Sequence, residues 1–333
     1  MSAPLVSFVV PCYNYGRYLR DCLDRIFAQE GDYPIEVIAI NDRSTDDTLE
    51  ILRSYGDRLR IIDHEVNRGH VYTVNEGLEA ARGKYVVRID PDDRHRPNFL
   101  RRTVPILERH PEVGLVYADV AQIDASGRIT APCSDVDHGG RDFKGNELIA
   151  LLRKNFICAP TVIARREAWM AAWPIPTGLA FNDWYFNVML ARKWEFYYVN
   201  DVLADYRVHG SNHHTQVSKD GTEERSVVWL LDKVYSEPES DPALEAAKQR
   251  EKARIYAAQY LDFATKYFGH GDDRNSRRSY LTAIRWQPRL LARPRVLMHL
   301  VATLIPRRVY ESAKRAVRSL ARGAKGRAAT RSA

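Results

Sequence analysis

The sequence predicts an α/β fold: a mostly parallel, mixed sheet packed with helices, followed by a helical and basic C-terminal extension. Three observations carry this. Short apolar runs alternate with segments of helical period from the first residues onward, polar residues gather just past each run, and from about residue 222 the pattern is helical throughout.

Taken in order, "LVSFVV" reads as a first strand, and Leu19, Cys22, Leu23, Ile26 and Phe27 recur at helical spacing before "IEVIAI", a second strand. This is the rhythm of strand, helix and parallel strand. "STDDTLEILRSY" carries a Ser44-x-x-Asp47 capping signature ahead of a helix, and "LRIID" is a short strand. Residues 70–82 read as a helix ended by Gly83, "KYVVRI" as a strand, and "PNFLRRTVPILERH" as a helix with Pro97 near its first turn and Pro105 inside it. "VGLVYADV" is the fifth strand and completes a Rossmann-like half over residues 1–120. A second half, residues 121–215, holds a hairpin turn at "DASGRI", the loop "PCSDVDHGGRDF", a strand leading into a helix at "TVIARREAWM", a helix at "NDWYFNVMLARKW", and one or two strands in "FYYVNDVLADYRVH". Residues 216–333 form the helical extension, and no internal repeat is present.

With 333 residues, 45% of them hydrophobic, the chain has material for one large domain or a catalytic domain with an appendage. Cys12, Cys22, Cys133 and Cys158 show neither metal spacing nor a paired pattern, so no disulfide framework is expected. "MSAPLVSFVV" lacks a basic leader and suits a first strand better than a signal peptide, which points to the cytoplasm. The net charge of +7 is concentrated at one end: from residue 285 onward there are 13 Lys and Arg against Glu311 alone. The longest apolar run there, "VLMHLVATLI", is ten residues, about half of what a membrane-spanning helix needs.

Open α/β sheets bind ligands beyond the carboxyl ends of their strands. In this chain those positions hold Pro11, Cys12, Tyr13 and Asn14, then Asn41 and Asp42, then "NRGH" at 67–70, then "DPDD" at 90–93. Any one of these fits a turn or a cap; four in succession argue for a ligand. There is no G-x-x-x-x-G-K-[ST], and "PCYNYG" lacks the glycines of a dinucleotide loop. A nucleotide would therefore be held differently: Tyr13 stacking on the base, Asp42 accepting from base or ribose, and a divalent cation on Asp90 and Asp92 neutralising a diphosphate. Crowded carboxylates at the end of a buried strand repel one another, and a hard cation relieves that.

The segments "SFVVPCYNYGRYLRDCLDRIFAQ", "IEVIAINDRSTDDTLEIL", "NRGHVYTVNEGLEAARGKYVVRIDPDDRHRP" and "FNDWYFNVMLARKWEFYYVNDVLADYRVHGSN", in this order, resemble a family 2 glycosyltransferase of the GT-A fold over residues 5–215. The resemblance implies an inverting, Mg²⁺- or Mn²⁺-dependent transferase using a nucleoside diphosphate sugar. By motif match Pro11, Tyr13 and Asp42 would hold the nucleoside, with Asn67 and Gly69 shaping the adjoining loop. Asp90 and Asp92 would form the D-x-D, Asp92 being the main metal ligand and Asp90 shared between metal and donor. Asp183 would be the general base, and His209 would close over the diphosphate and contact metal or phosphate. Two positions depart from the pattern. Asn182 stands where the family has the first acid of a Glu-Asp pair, and Val74 precedes Asn75 where relatives carry Arg, leaving Arg68 or Arg88 to substitute.

Individual residues keep plainer readings beside these. Asp183 fits an N-cap for a helix at 184–193, His209 fits a surface-loop histidine, His213 and His214 read as solvated, and Trp184, Tyr185 and Phe186 as core. For the basic tail the leading expectation is an anchor to an anionic membrane surface, on the inner face if cytoplasmic; a helix packed on the rest of the chain is the second reading. Nucleic acid is not an expected partner, because the charge lacks aromatic interleaving. The expected activity is sugar transfer to a glycan or lipid-linked hydroxyl acceptor, in surface polysaccharide, O-antigen or glycolipid synthesis. The alternatives are a nucleotidyltransferase, which would release pyrophosphate, and a non-catalytic module binding membrane or partner with a vestigial site.

Overall fold

The computed structural model describes residues 4–133, 138–209, 221–305 and 309–310. It divides into two compact units, one of residues 1–217 with 236–242, the other of 218–235 with 243–333.

The first unit is built on one mixed sheet. Its early strands are β1 (Val6–Cys12), β2 (Ile35–Asn41), β3 (Arg60–Asp63), β4 (Tyr85–Arg88) and the two-residue β5 (Arg94–His95). They are followed by β6 (Val113–Ile123), β7 (Ile129–Ala131), β8 (Phe143–Gly145), β9 (Ile163–Arg165) and β10 (Glu195–Arg207). The strand order is β3-β2-β1-β4-β9-β6-β10-β5, with β7 on β6 and β8 on β10. The long ladders β1–β2, β1–β4, β2–β3 and β6–β10 are parallel, while the antiparallel pairings extend over two or three residues each. Helices α1 (Gly16–Phe27), α2 (Thr48–Ser54), α3 (His70–Ala80), α4 (Phe99–Arg109), α5 (Leu148–Arg153), α6 (Arg166–Ala172) and α7 (Asn182–Ala191) complete the unit.

Strand β1 is apolar apart from Ser7 and is buried along its whole length, as a strand covered on both faces should be. Phe8 and Val10 join Leu19, Leu23 and Ile26 of α1 in the main core cluster. On the other face, a Cβ at Gly77 of α3 would come within 2.4 Å of Val9 Cγ1, so only glycine lets α3 lie this close to the sheet. Fully buried side chains of this size each stabilise the fold by about 1.5–3 kcal/mol. Pro11 costs no ladder bond: the last bond from β4 on that side is Ile89 N–H to the Val9 carbonyl, so the edge has opened where the proline lacks its N–H.

One detail differs from what the pattern predicts, and two others refine it. The helix after β2 begins at Thr48, not at the Ser44 cap; Asp46 Oδ1 accepts from Thr48 N at 3.1 Å, and Ser44 Oγ accepts from Asn14 N at 3.0 Å. The segment "FYYVNDVLADYR" is a single strand whose register shifts between Val199 and Ala204. The halves at 1–120 and 121–215 share one sheet: residue 120 lies inside β6, and β9 lies between β4 and β6.

The second unit is helical, with α8 (Thr222–Ser236), α9 (Pro242–His270), α10 (Asp273–Trp286) and α11 (Pro294–Ala302). Ala257 and Ala264 of α9 pack with Tyr280 and Ala283 of α10, Leu290, and Val296 of α11. Asp272 Oδ1 caps α10 by accepting from Asn275 N at 3.0 Å. Among the described residues no helix is long and apolar enough to cross a membrane. His213, His214 and most of the basic tail lie outside the described residues.

Candidate active site

The carboxyl ends of β1, β2 and β4 and the end of β10 converge, and the residues beyond them tie one strand end to the next. Asn14, at φ 59°, accepts through Oδ1 from Thr45 N at 2.7 Å. Asp46 Oδ2 accepts from Gly16 N at 3.0 Å, and a Cβ at Gly16 would lie 1.8 Å from Asp47 Oδ1. These bonds fix the two turns against each other and leave Tyr13 47% exposed at the rim.

Asp42 is buried and organises the next loop. Its Oδ1 accepts from Arg68 N at 2.7 Å and its Oδ2 from Gly69 N at 2.8 Å, while Asn67 Nδ2 donates to the Asp42 carbonyl at 3.2 Å. Gly69, at φ 87°, then serves as N-cap of α3. His64, which the sequence reading missed, bridges two carboxylates: Nδ1 stands 2.7 Å from Asp42 Oδ1 and Nε2 2.5 Å from Glu76 Oε2. Burial works to lower the His64 pKa, and the bonds to Asp42 and Glu76 override it, so the imidazole is raised above its ordinary value. At Asp42 burial works upward, and the Arg68 amide, the His64 ring and the Gly69 amide override it to hold the carboxyl below its usual range. His64 was findable, since it is the first residue past β3.

The acidic turn follows β4. Asp93 N donates to the Asp90 carbonyl at 3.0 Å, and β5 then pairs with β10 through Arg94 and Asp205. That pairing delivers the end of β10 to the turn. Arg207, also missed from sequence, donates from its backbone N to Asp93 Oδ1 at 2.9 Å, from Nε to the Asp92 carbonyl at 2.8 Å, and from a guanidinium nitrogen to Asp21 Oδ2 at 3.0 Å. Two residues on, His209 Nε2 lies 2.9 Å from Asp92 Oδ2. The His209 side chain is nearly buried, with its ring 5.4 Å from that of Tyr18 and 6.4 Å from that of Tyr15, so it is no surface-loop histidine. Asp90 turns both oxygens toward the buried Arg88 guanidinium.

The charge on this turn is under-compensated. Burial first, and then the neighbouring Asp90, raise the Asp92 carboxyl, with the His209 contact opposing. Asp93 is raised further, by burial and then by Asp92 and Asp90, and its Oδ2 has no hydrogen-bond partner among the described residues. The Asp92 carboxylate suits Mg²⁺ or Mn²⁺, which take one or two carboxylates and fill their remaining positions from phosphate and water. Among the described residues no three or more His, Cys, Asp or Glu side chains form a metal-binding group.

Arg88 connects this turn to the second candidate carboxylate: another of its nitrogens reaches Asn182 Oδ1 at 3.5 Å. Asp183 is the second residue of α7 and caps nothing; its Oδ2 accepts from Asn155 Nδ2 at 3.2 Å. Arg88, Asn182, Asp183 and Asn187 line a cavity of about 20 Å³, together with Trp169 and Phe186. Asn187 is buried with neither Oδ1 nor Nδ2 hydrogen-bonded among the described residues, and Arg88 Nε is likewise unmatched. Trp184, Tyr185 and Phe186 are buried, as core positions should be. Arg68 is placed elsewhere, 4.8 Å above the Tyr72 ring.

Residues 7–170 match the family described as Glycosyl transferase family 2. An uncharacterised protein of Mycobacterium tuberculosis is 32% identical over 209 residues, 61% of this chain; the chain spans 59% of that relative's length. A PGL/p-HBAD biosynthesis glycosyltransferase of Mycobacterium bovis is 28% identical over 229 residues, covering 66% of this chain and 83% of the relative. Among solved structures, Staphylococcus aureus TarS in complex with UDP-GlcNAc superposes with a TM-score of 0.64 at 18% identity, over 84% of this chain and 81% of TarS. The mannosyltransferase PcManGT of Pyrobaculum calidifontis, in complex with GDP-Man and Mn²⁺, gives 0.57 at 17% identity over 91% and 87%. The fold is that of the GT-A glycosyltransferases.

Proposed function

Because this chain belongs to glycosyl transferase family 2, we propose that it transfers a sugar from a nucleoside diphosphate sugar to a hydroxyl acceptor, with inversion at the anomeric carbon. The observation that carries this reading is the position of Arg88, whose guanidinium joins Asp90 of the acidic turn to Asn182 beside Asp183. One carboxylate cluster on the leaving-group side and one carboxylate on the acceptor side is the arrangement that in-line displacement requires.

In this account the nucleoside lies over the ends of β1 and β2. Tyr13 offers an exposed ring to the base, Pro11 forms the floor, and Asp42 acts by holding Asn67 and Gly69 in place and by presenting its remaining acceptor capacity. Asp92 and His209 would hold a divalent ion, with Asp90 beside the donor under Arg88. What Mg²⁺ or Mn²⁺ supplies there, when bound, is neutralisation of the charge developing on the leaving diphosphate. Asp183 removes the proton of the acceptor hydroxyl as its oxygen bonds to the anomeric carbon and the bond from that carbon to the diphosphate oxygen breaks. Asn155 orients the Asp183 carboxylate through its amide. The similarly folded complexes with UDP-GlcNAc and with GDP-Man and Mn²⁺ support a nucleotide sugar and a divalent metal. The M. bovis relative, named as a PGL/p-HBAD biosynthesis glycosyltransferase, supports the transfer reading.

A panel of nucleotide sugars with Mn²⁺, read by release of nucleoside diphosphate, tests the reading. Release that disappears in Asp183→Asn supports it. Pyrophosphate as the product identifies a nucleotidyltransferase instead, and no turnover or binding across the panel leaves only the module reading.

A further inference from the structure

Helix α11 is apolar on two sides. Its inner side is anchored: Val296 and Leu300 pack into the core cluster with Tyr280, Ala283 and Leu290, and Arg277 clamps the helix end by donating to the Thr303 carbonyl at 2.6 Å. Its outer side carries Leu297, Met298, Val301, Leu304 and Ile305, spaced so that they form one stripe along the helix and its final turn. Met298, Val301 and Leu304 are 58%, 53% and 62% exposed. A helix held by one face ordinarily turns polar residues to water on the other.

The charge beside this stripe has one sign. Arg285, Arg289, Arg293 and Arg295 are exposed, Arg293 and Arg295 adjoin the stripe in sequence, and between residues 285 and 310 the sequence has no Asp or Glu. Apolar side chains that enter an acyl boundary, rimmed by cations that stay among phosphates, are the makings of an interfacial helix. A protein partner would be met by mixed charge at the rim, and a nucleic acid has no use for the aliphatic stripe.

We propose that the outer face of α11 docks on an anionic lipid bilayer, with Leu297, Met298 and Val301 inserted and the flanking arginines on lipid phosphates. This goes beyond the transfer reading and is measured without donor turnover, so the two fail separately.

The test is co-sedimentation of the full chain with phosphatidylcholine vesicles, with and without about one third phosphatidylglycerol. The expected result is binding that needs the anionic lipid, weakens in high salt, and falls at least tenfold when Leu297, Met298 and Val301 are all changed to Asn. Circular dichroism and thermal unfolding without vesicles should match the wild type in that variant. The proposal is overturned by absence of binding, or by binding that the triple substitution leaves intact, which would assign it to the tail's charge alone. It is equally overturned if the wild type is a dimer that the substitutions turn into a monomer, which would make the stripe an interface between copies.

Discussion

His64 Nδ1 stands 2.7 Å from Asp42 Oδ1, so the carboxylate that shapes the 67–70 loop is itself held by a buried imidazole. Glu76 Oε2 receives the other ring nitrogen at 2.5 Å, and the charged imidazolium is the form this pair of acids favours. Because the folded pKa of His64 is raised above its ordinary 6.5, the contribution to stability is complete below about pH 6.5 and is lost as pH rises through the folded value. Urea denaturation between pH 5.5 and 9 should therefore show wild-type stability declining above that point by on the order of 1 kcal/mol. His64→Gln should be less stable at pH 6 and flatter with pH. A wild-type stability that instead rises across this window contradicts the assignment.

Arg207 joins three parts of the first unit, bonding to Asp93, to the Asp92 carbonyl and to Asp21. Replacing it by Met removes the guanidinium from the Asp21 carboxylate and from the Asp92 and Asp124 carbonyls, while the backbone bond to Asp93 survives, and the expected loss is about 1–3 kcal/mol in denaturant unfolding. Arg207→Lys should recover part of it, since one ammonium cannot reach both the Asp92 carbonyl and the Asp21 carboxylate. A loss below about 0.5 kcal/mol for Met would show that the acidic turn stands without this clamp.

Asn187 and Arg88 aim unmatched polar atoms into a cavity large enough for one water. A crystal structure at high resolution should show an ordered water there, bonded to the Asn187 amide and Arg88 Nε. A dry cavity, or an Asn187 turned to a protein partner, contradicts this.

Asp183 lies within hydrogen-bond reach of Asn155 and faces the same cavity as Arg88. As general base, it should lower kcat by about 10²–10⁴-fold on conversion to Asn, with donor affinity unchanged. A variant that keeps its kcat and loses donor affinity places Asp183 in binding.

Much of this architecture is legible in the sequence because it is local. Alternation of apolar runs with helical spacing marks β1, α1, β2 and the helix at 182–191, and "DPDD" announces itself as charge where an apolar strand should continue. What the sequence conceals is pairing over distance. Strands β5 and β9 are two and three residues long and exist only because β10, β4 and β6 supply partners. His209 reaches Asp92 across 117 residues and Arg207 reaches Asp93 across 114, and no local spacing encodes either. The Ser44 cap shows the converse: a good local signature lost because Asn14 offered Ser44 another bond.

The central claim is that Asp92 and His209 hold a divalent ion against the phosphates of a sugar nucleotide. Nucleoside diphosphate release from the best donor, followed as Mn²⁺ is titrated, tests it most directly. The account predicts that turnover requires the metal, is restored by Mn²⁺ or Mg²⁺ after chelation, and falls at least 100-fold in Asp92→Ala, with weaker Mn²⁺ dependence in His209→Ala. Turnover that is indifferent to chelator, or untouched in Asp92→Ala, would contradict it.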